Sequence, residues 1–328
     1  MEGINHYKLP SPVEKINLDL PIEWYVKRDD LIHPVISGNK YRKLKFIIRD
    51  IMDQNARGII TFGGCFSNHI HAVAAFSAME KIPSLGIIRG EYDLNNPTLR
   101  FATSQGMKLY FISRSDYRLK LNALSVQQIL QDNPDYYIVP EGGDHPLAFS
   151  GVAEIINELS LQQKAPDYLA LAAGTGSTAA ALIAEIKRRD WPTKVLVISA
   201  VHDQSLASKI ANQAGVTAGD FLFFDQYCHG GYAKTTPEYL SFIQSFYSRT
   251  SIPIDPVYNG KVVFGLNDLI NRGYFKPGSR LVWLHTGGLQ GIEGYNYLRK
   301  NKTIPLTQMD LIAHRDGTGG GHQDVLSK

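Results

Sequence analysis

The sequence predicts an α/β protein built on parallel sheets, and three observations carry the prediction. Short apolar runs alternate with amphipathic stretches over most of the chain. Several of the runs lead into glycine-rich or polar turns, as buried parallel strands do. At 328 residues, 44% hydrophobic and 20% charged, the chain has ordinary globular composition and is too long for a single small core.

The elements follow in order. After Gly38, apolar residues at Tyr41, Leu44, Ile47, Ile48 and Ile51 fall at helical spacing. A strand is expected over 58–62, then a turn at Gly63 and Gly64 and a helix through 71–76. Strands over 84–88, 108–112 and 136–139 alternate with helices over 99–106 and around 127–131, giving one small parallel-sheet block at about 43–150. A second block opens with a helix near 152–159. Strands over 168–173, 194–199 and 279–284 follow, with a glycine-rich turn and a helix over 179–188 after the first. The end of the chain, from Arg315 with its glycines at 317 and 319–321, reads as a flexible tail over 315–328.

Composition excludes several classes of function. A net charge of +3, from 34 basic and 31 acidic residues, is too balanced for a nucleic-acid or anionic-membrane partner. Cys65 and Cys228 are the two cysteines, so there is no disulfide framework and no CxxC knuckle. No apolar run reaches the ~18 residues of a membrane span, and the first residues lack an apolar signal core. The expectation is a soluble cytoplasmic protein.

Four segments carry chemistry. In Ser37-Gly38-Asn39-Lys40, a lysine opens a helix, where positive charge is disfavoured and the free amine becomes more available as a nucleophile; a solvated lysine is the plain alternative. Ser67 and Asn68 stand at a strand-to-helix junction, where α/β sheets bind ligands, although either residue could simply cap the helix. His69 and His71 are two apart and do not face together, so no metal site is expected. Gly174-Thr175-Gly176-Ser177-Thr178 joins a buried strand to a helix and suits a phosphate dianion, with a plain glycine turn as the alternative. A dinucleotide would also need an acid at the end of the next strand, and Val197-Ile198-Ser199-Ala200 has none, which sets a nicotinamide oxidoreductase aside. Tyr258 can stack on a planar ring or be a core tyrosine, and Leu284-His285-Thr286-Gly287-Gly288 ends a strand in small and polar residues. Together, a lysine nucleophile, a monophosphate cup and a ring-stacking candidate suggest pyridoxal 5'-phosphate.

These residues resemble a known family. Ser37-Gly38-Asn39-Lys40-Tyr41-Arg42-Lys43-Leu44, the Gly63-Gly64 and Ser67-Asn68-His69 pair of motifs, and Asp255-Pro256-Val257-Tyr258-Asn259-Gly260-Lys261 are similar to the 1-aminocyclopropane-1-carboxylate (ACC) deaminase and D-cysteine desulfhydrase family, in family order over about 20–300. The resemblance implies a two-domain tryptophan synthase β-like fold of PLP fold type II, with parallel-sheet cores covered by helices on both faces. Residues 1–42 with 151–314 would form the large domain and 43–150 the small one. It also implies a homodimer. Lys40 would carry the cofactor, Asn68 would meet its 3'-oxygen with Asn39 nearby, and Gly174 to Thr178 would hold the phosphate. Ser67 and Tyr232 would face the substrate, and Tyr258 would lie on or near the ring.

Two departures bear on the substrate. ACC deaminases carry glutamate at the position of Asn259, where a carboxylate keeps the pyridine nitrogen protonated. They also tend to carry leucine at the position of Thr286; threonine there resembles the desulfhydrases, which usually have threonine or serine at 259. The loop Glu141-Gly142-Gly143-Asp144 keeps the family's double glycine but not the serine after it. The expected activity is β-elimination from a small amino acid, D-cysteine first, giving pyruvate, sulfide and ammonia. The alternatives are ACC deaminase and a PLP-binding protein without catalysis.

Overall fold

The computed structural model describes residues 7–91, 93 and 95–299. The tail expected over 315–328 lies outside the described residues. The chain opens with β1 (Val13–Lys15) and β2 (Glu23–Lys27), followed by α1 (Gly38–Asp53). Then come β3 (Gly58–Gly64), α2 (Asn68–Met79), β4 (Ser84–Arg89), α3 (Pro97–Ser104), β5 (Lys108–Ile112), α4 (Arg114–Leu119), α5 (Leu124–Asp132) and β6 (Tyr136–Val139). The rest runs α6 (Pro146–Gln162), β7 (Tyr168–Ala173), α7 (Ser177–Arg188), β8 (Lys194–Ser199), α8 (Leu206–Ala214), β9 (Leu222–Phe224), α9 (Pro237–Thr250), α10 (Asn259–Asn271), β10 (Arg280–Leu284) and α11 (Gly291–Leu298).

Two sheets result. Six strands run in the order β1-β2-β10-β7-β8-β9, and four in the order β5-β4-β3-β6. Every pairing is parallel except that of β1 with β2. Parallel strands need crossover helices, and these cover both faces. On the larger sheet, Trp24, Ala170, Leu196 and Trp283 pack under α9 and α10, while Leu169, Leu171, Val197 and Val282 pack under α6, α7 and α8. On the smaller sheet, Ile59 and Ile88 meet α1, α2 and α3, and Ile60, Phe62, Leu85 and Ile87 meet α4 and α5. The boundaries drawn at 42/43 and 150/151 cut α1 and α6 part-way, because these two helices pack on each other as a bridge between the sheets. Among the described residues, no helix is long and apolar enough to cross a membrane.

Helix α1 begins abruptly because Gly38 has φ of +64° and lies against the carbonyl of Thr286, where a Cβ would come within 1.9 Å of the oxygen. Asn39 N donates to the same carbonyl at 3.2 Å. A cluster of buried charges fixes the helix on its other side. Arg42 donates to both oxygens of Asp29, at 3.0 and 2.9 Å, and to both oxygens of Glu158, at 2.6 and 2.9 Å. Lys27 reaches Glu158 at 2.6 Å, Gln162 and the carbonyl of Ser11, whose hydroxyl donates to Asp29 at 2.6 Å. Against burial, which works the other way, Arg42 and Lys27 hold the Glu158 carboxyl below its ordinary range.

Arg42→Met would leave Asp29 buried without its cation, a class of change that costs about 3–5 kcal/mol. The expected outcome is a lower denaturant midpoint for the variant in chemical unfolding of the apo-protein, and a midpoint equal to the wild type would contradict the role given to the cluster.

Candidate active site

The carboxyl ends of β3 and β7 face a cavity of about 270 Å³ between the two sheets. Lys40 enters it from the first turn of α1, Ser67 and Asn68 from the start of α2, and Gly174 to Thr178 from the turn between β7 and α7. Tyr232, Tyr258 and Thr286 complete the wall from the larger sheet's side, with Asn39 beside Lys40. The structure thus gathers eleven of the thirteen site residues expected from sequence, all but Ser177 and Asn259.

The turn at 174–178 is shaped as an anion cup. Gly176 has φ of +91°, and no side chain caps α7, unlike α2, α3, α6 and α9, whose first turns are capped by Ser67, Asn96, His145 and Thr236. The leading N–H groups of α7 are therefore left for a ligand. A Cβ at Gly176 would come within 2.6 Å of Ile210 in the core, so this glycine is needed for the fold as well as for the cup. Asn39 Nδ2 donates to Thr178 Oγ1 at 3.2 Å, tying the start of α1 to the rim. Beneath the cup lies Lys43, which the sequence reading did not assign. It is buried, and its ammonium donates to Ser177 Oγ at 2.6 Å and to the carbonyl of Gly142 at 3.0 Å. Ser177 thus turns its hydroxyl to Lys43, leaving its backbone N–H at the helix start. The signal for Lys43 was present: it follows Lys40 by three residues and shares its face of α1.

Lys40 has the properties a nucleophilic amine needs. Burial lowers its ammonium to about 8, with the Glu141 carboxylate opposing. The expected cause was the helix end; burial is the cause found. Its nearest hydrogen-bond acceptor among the described groups is the Gly142 carbonyl at 3.4 Å, a loose contact. Glu141 itself is paired with Lys120 at 2.6 Å.

At the start of α2, Ser67 both lines the cavity and caps the helix. Its oxygen caps the helix, accepting from His69 N at 3.2 Å and Ile70 N at 3.3 Å. A hydroxyl has two acceptor sites and one proton. With both acceptors used, Ser67 can offer the cavity only its O–H, which suits an anion and not the removal of a proton. His69 is buried behind it. Thr61 donates to the Val139 carbonyl, so it accepts from His69 Nε2–H at 2.8 Å. That fixes the neutral tautomer and leaves Nδ1 a buried lone pair without a partner among the described residues. Burial and the nearby Lys40 and Lys43 push the His69 pKa well down.

Tyr258 lies against the cup, where a Cβ at Gly174 would be 3.1 Å from its Cε1. Burial raises the phenol's pKa well above its ordinary value, and the Tyr232 ring meets it edge-on at 6.1 Å between centroids. Tyr232 is exposed at the mouth. Its loop is held by Lys261, whose ammonium donates to the carbonyls of Ala200, Cys228 and Gly231 at 2.9, 2.9 and 2.7 Å.

Asn259 stands elsewhere than expected. It is fully buried behind Thr286, and its side chain is consumed internally. Nδ2 donates to Asp255 Oδ1 and to the Gly287 carbonyl, at 2.9 and 2.8 Å, and Oδ1 accepts from Thr286 N at 3.1 Å. Both partners of Nδ2 are acceptors, so the NH₂ of an amide fits and a glutamate would meet two repelling oxygens. Thr286, not Asn259, presents its side chain to the cavity.

The uncapped helix start and the buried Lys43 beneath it suit a phosphate, and Lys40 suits the aldehyde of a phosphorylated ring. That defines a pyridoxal-phosphate enzyme. The chain belongs to the pyridoxal-phosphate-dependent enzyme family, whose model matches residues 6–287, and its cofactor is pyridoxal 5'-phosphate. It is 32% identical to the bifunctional D-cysteine desulfhydrase/ACC deaminase of Arabidopsis thaliana, over 95% of this chain and 85% of that protein. It is 28% identical to a putative ACC deaminase of Pyrococcus horikoshii, over 88% of this chain and 90% of that one. The crystal structure of an ACC deaminase homologue, 26% identical, superposes with a TM-score of 0.77 over 90% of this chain and 94% of the other.

Two outcomes follow from the geometry. An ammonium with a pKa of about 8 becomes free amine as pH rises, so cofactor capture by the apo-protein should speed up about tenfold between pH 7 and pH 9. Visible absorbance against time reads this, and a rate independent of pH would contradict it. Lys43→Met should weaken cofactor affinity by about 10- to 100-fold, the scale of a hydrogen bond to a charged group, as measured by equilibrium titration of the apo-protein.

Proposed function

We propose that the enzyme eliminates the β-substituent of a small amino acid and releases the product as a 2-oxo acid and ammonia, with D-cysteine giving pyruvate and sulfide. The observation that carries this over ring opening of ACC is the charge on the wall. The one carboxylate among the described lining residues is Glu141, and it is already paired with Lys120. A pyridine nitrogen without a carboxylate partner stays mostly unprotonated, a weaker electron sink that suffices where thiolate leaves readily. The bifunctional plant relative keeps ACC as the second reading.

The bound cofactor supplies the electron sink for the electrons left at Cα. Lys40 would hold the cofactor through its aldehyde, and its amine, once free beside the substrate, would take the Cα proton on Nζ; with its pKa near 8 it is poised to do so near neutral pH. Ser67 donates its O–H to the substrate carboxylate and orients Cα towards Lys40. Asn68, whose Nδ2 lies where a Cβ at Gly288 would come within 2.8 Å, presents its amide to the cofactor's 3'-oxygen. Tyr258 and Tyr232 close the side of the pocket that faces the substrate. The departing thiolate and the Cα proton leave together as hydrogen sulfide, and water converts the enamine product to pyruvate and ammonia.

Ser67→Ala should keep the bound cofactor's colour and lower kcat/KM for D-cysteine by about 10²-fold. The wild type should release pyruvate from D-cysteine and β-chloro-D-alanine, with little 2-oxobutyrate from ACC. A panel of D- and L-cysteine, D- and L-serine, β-chloroalanine and ACC reads the outcome, and efficient ACC turnover would overturn the preference.

A further inference from the structure

Three basic side chains line the cavity wall, and two of them are accounted for. Lys40 serves the cofactor's aldehyde and Lys43 its phosphate end. The third, Arg89, has no ion-pair partner among the described residues. It is the last residue of β4, opposite Gly64 in the parallel register with β3. A Cβ at Gly64 would lie 3.5 Å from its Nη2, so the guanidinium folds across a bare strand end towards the cavity, which it lines. Its Cζ sits 5.4 Å from the ring centroid of Tyr117, a face that steadies the cation without neutralising it. Gly64 leads directly into the loop that ends at Ser67, whereas Lys43 and the anion cup come from α1 and the turn before α7. Arg89 is therefore a charge on the substrate's side.

A substrate with a single carboxylate leaves this cation unanswered, because the Ser67 O–H already offers that carboxylate a place. We propose that Arg89 forms a subsite for a negative charge on the substrate's β-substituent, so that the preferred substrates are amino acids whose β-group is anionic or departs as an anion. This rests on the elimination chemistry proposed above. A guanidinium presents a rigid fork to an oxyanion, so carboxylate and sulfonate groups are its best partners and a departing thiolate is a simpler one. The subsite acts on binding, and its consequence for catalysis is to hold the leaving group's charge as the Cβ bond breaks and the electron pair goes with it.

The test uses the holoenzyme and does not depend on turnover. D- and L-forms of cysteate, aspartate, alanine and serine are titrated into wild type, Arg89→Gln and Arg89→Lys, with binding read from the cofactor's visible spectrum. Wild type should bind cysteate and aspartate at least about tenfold tighter than alanine of the same hand. Arg89→Gln should abolish that preference and leave alanine within about twofold of wild type, while Arg89→Lys should keep part of it. Equal weakening of alanine and cysteate in Arg89→Gln would assign Arg89 to the α-carboxylate or to the fold and overturn the subsite. So would a wild type with no preference for the acidic ligands. A holoenzyme whose spectrum responds to no amino acid would overturn the elimination reading itself, and the subsite with it.

Discussion

The site depends on how α1 is held. Arg42 sits two residues beyond Lys40 and is clasped by Asp29 on one side and Glu158 on the other, all at 3.0 Å or less. Buried charges are costly to desolvate, and such clusters are weak as a source of stability. Their geometry is strict, however, and here it links the residues after β2, the body of α1 and the body of α6. Apolar packing also resists sliding of α1, through its buried face of Tyr41, Leu44, Ile47, Ile48 and Ile51, but it is less directional. A bidentate arginine between two carboxylates is strictly directional, and the direction in which Lys40 enters the cavity is fixed as a result.

The second constraint is the shortage of free polar groups around the cofactor's place. Ser67 spends both its acceptor sites on α2, Thr61 fixes the tautomer of His69, and Asn259 is closed on itself through Asp255, Gly287 and Thr286. What remains, beside the lone pair of His69 Nδ1 and the guanidinium of Arg89, includes the O–H of Ser67, the N–H groups at the start of α7 and the amine of Lys40. Saturating part of the wall in this way restricts which side chains can exchange a proton with a bound molecule.

Much of this was legible in the sequence. Strands β3 to β8 and β10 announce themselves as short apolar runs, and the first turns of α1, α2 and α7 carry the residues that line the cavity. The reading missed β2, because Glu23-Trp24-Tyr25-Val26-Lys27 has charged ends and its buried Lys27 is compensated by Glu158, 131 residues away. It missed the short β1 and β9, which extend a sheet already made by others. It misplaced Asn259 because a motif gives a residue's neighbours in sequence, whereas the direction of this side chain is set by the capping of α10 by Asp255. Arg89 drew no notice because nothing in a lone arginine at the end of a strand distinguishes it until the cavity is seen.

The contact between Gly38 and the carbonyl of Thr286 also says something about how the protein comes into being. The turn that opens α1 is shaped against a strand end that lies far along the chain, just after β10. Strand β2, in turn, finds its parallel partner only in β10. Joining segments so far apart in the chain is slow, because the intervening loop must be closed before any contact rewards it. The smaller sheet is continuous in sequence, whereas the first turn of α1 takes its shape only against the end of β10. Shaping the cavity around Lys40 therefore waits on one of the long-range joins of the fold.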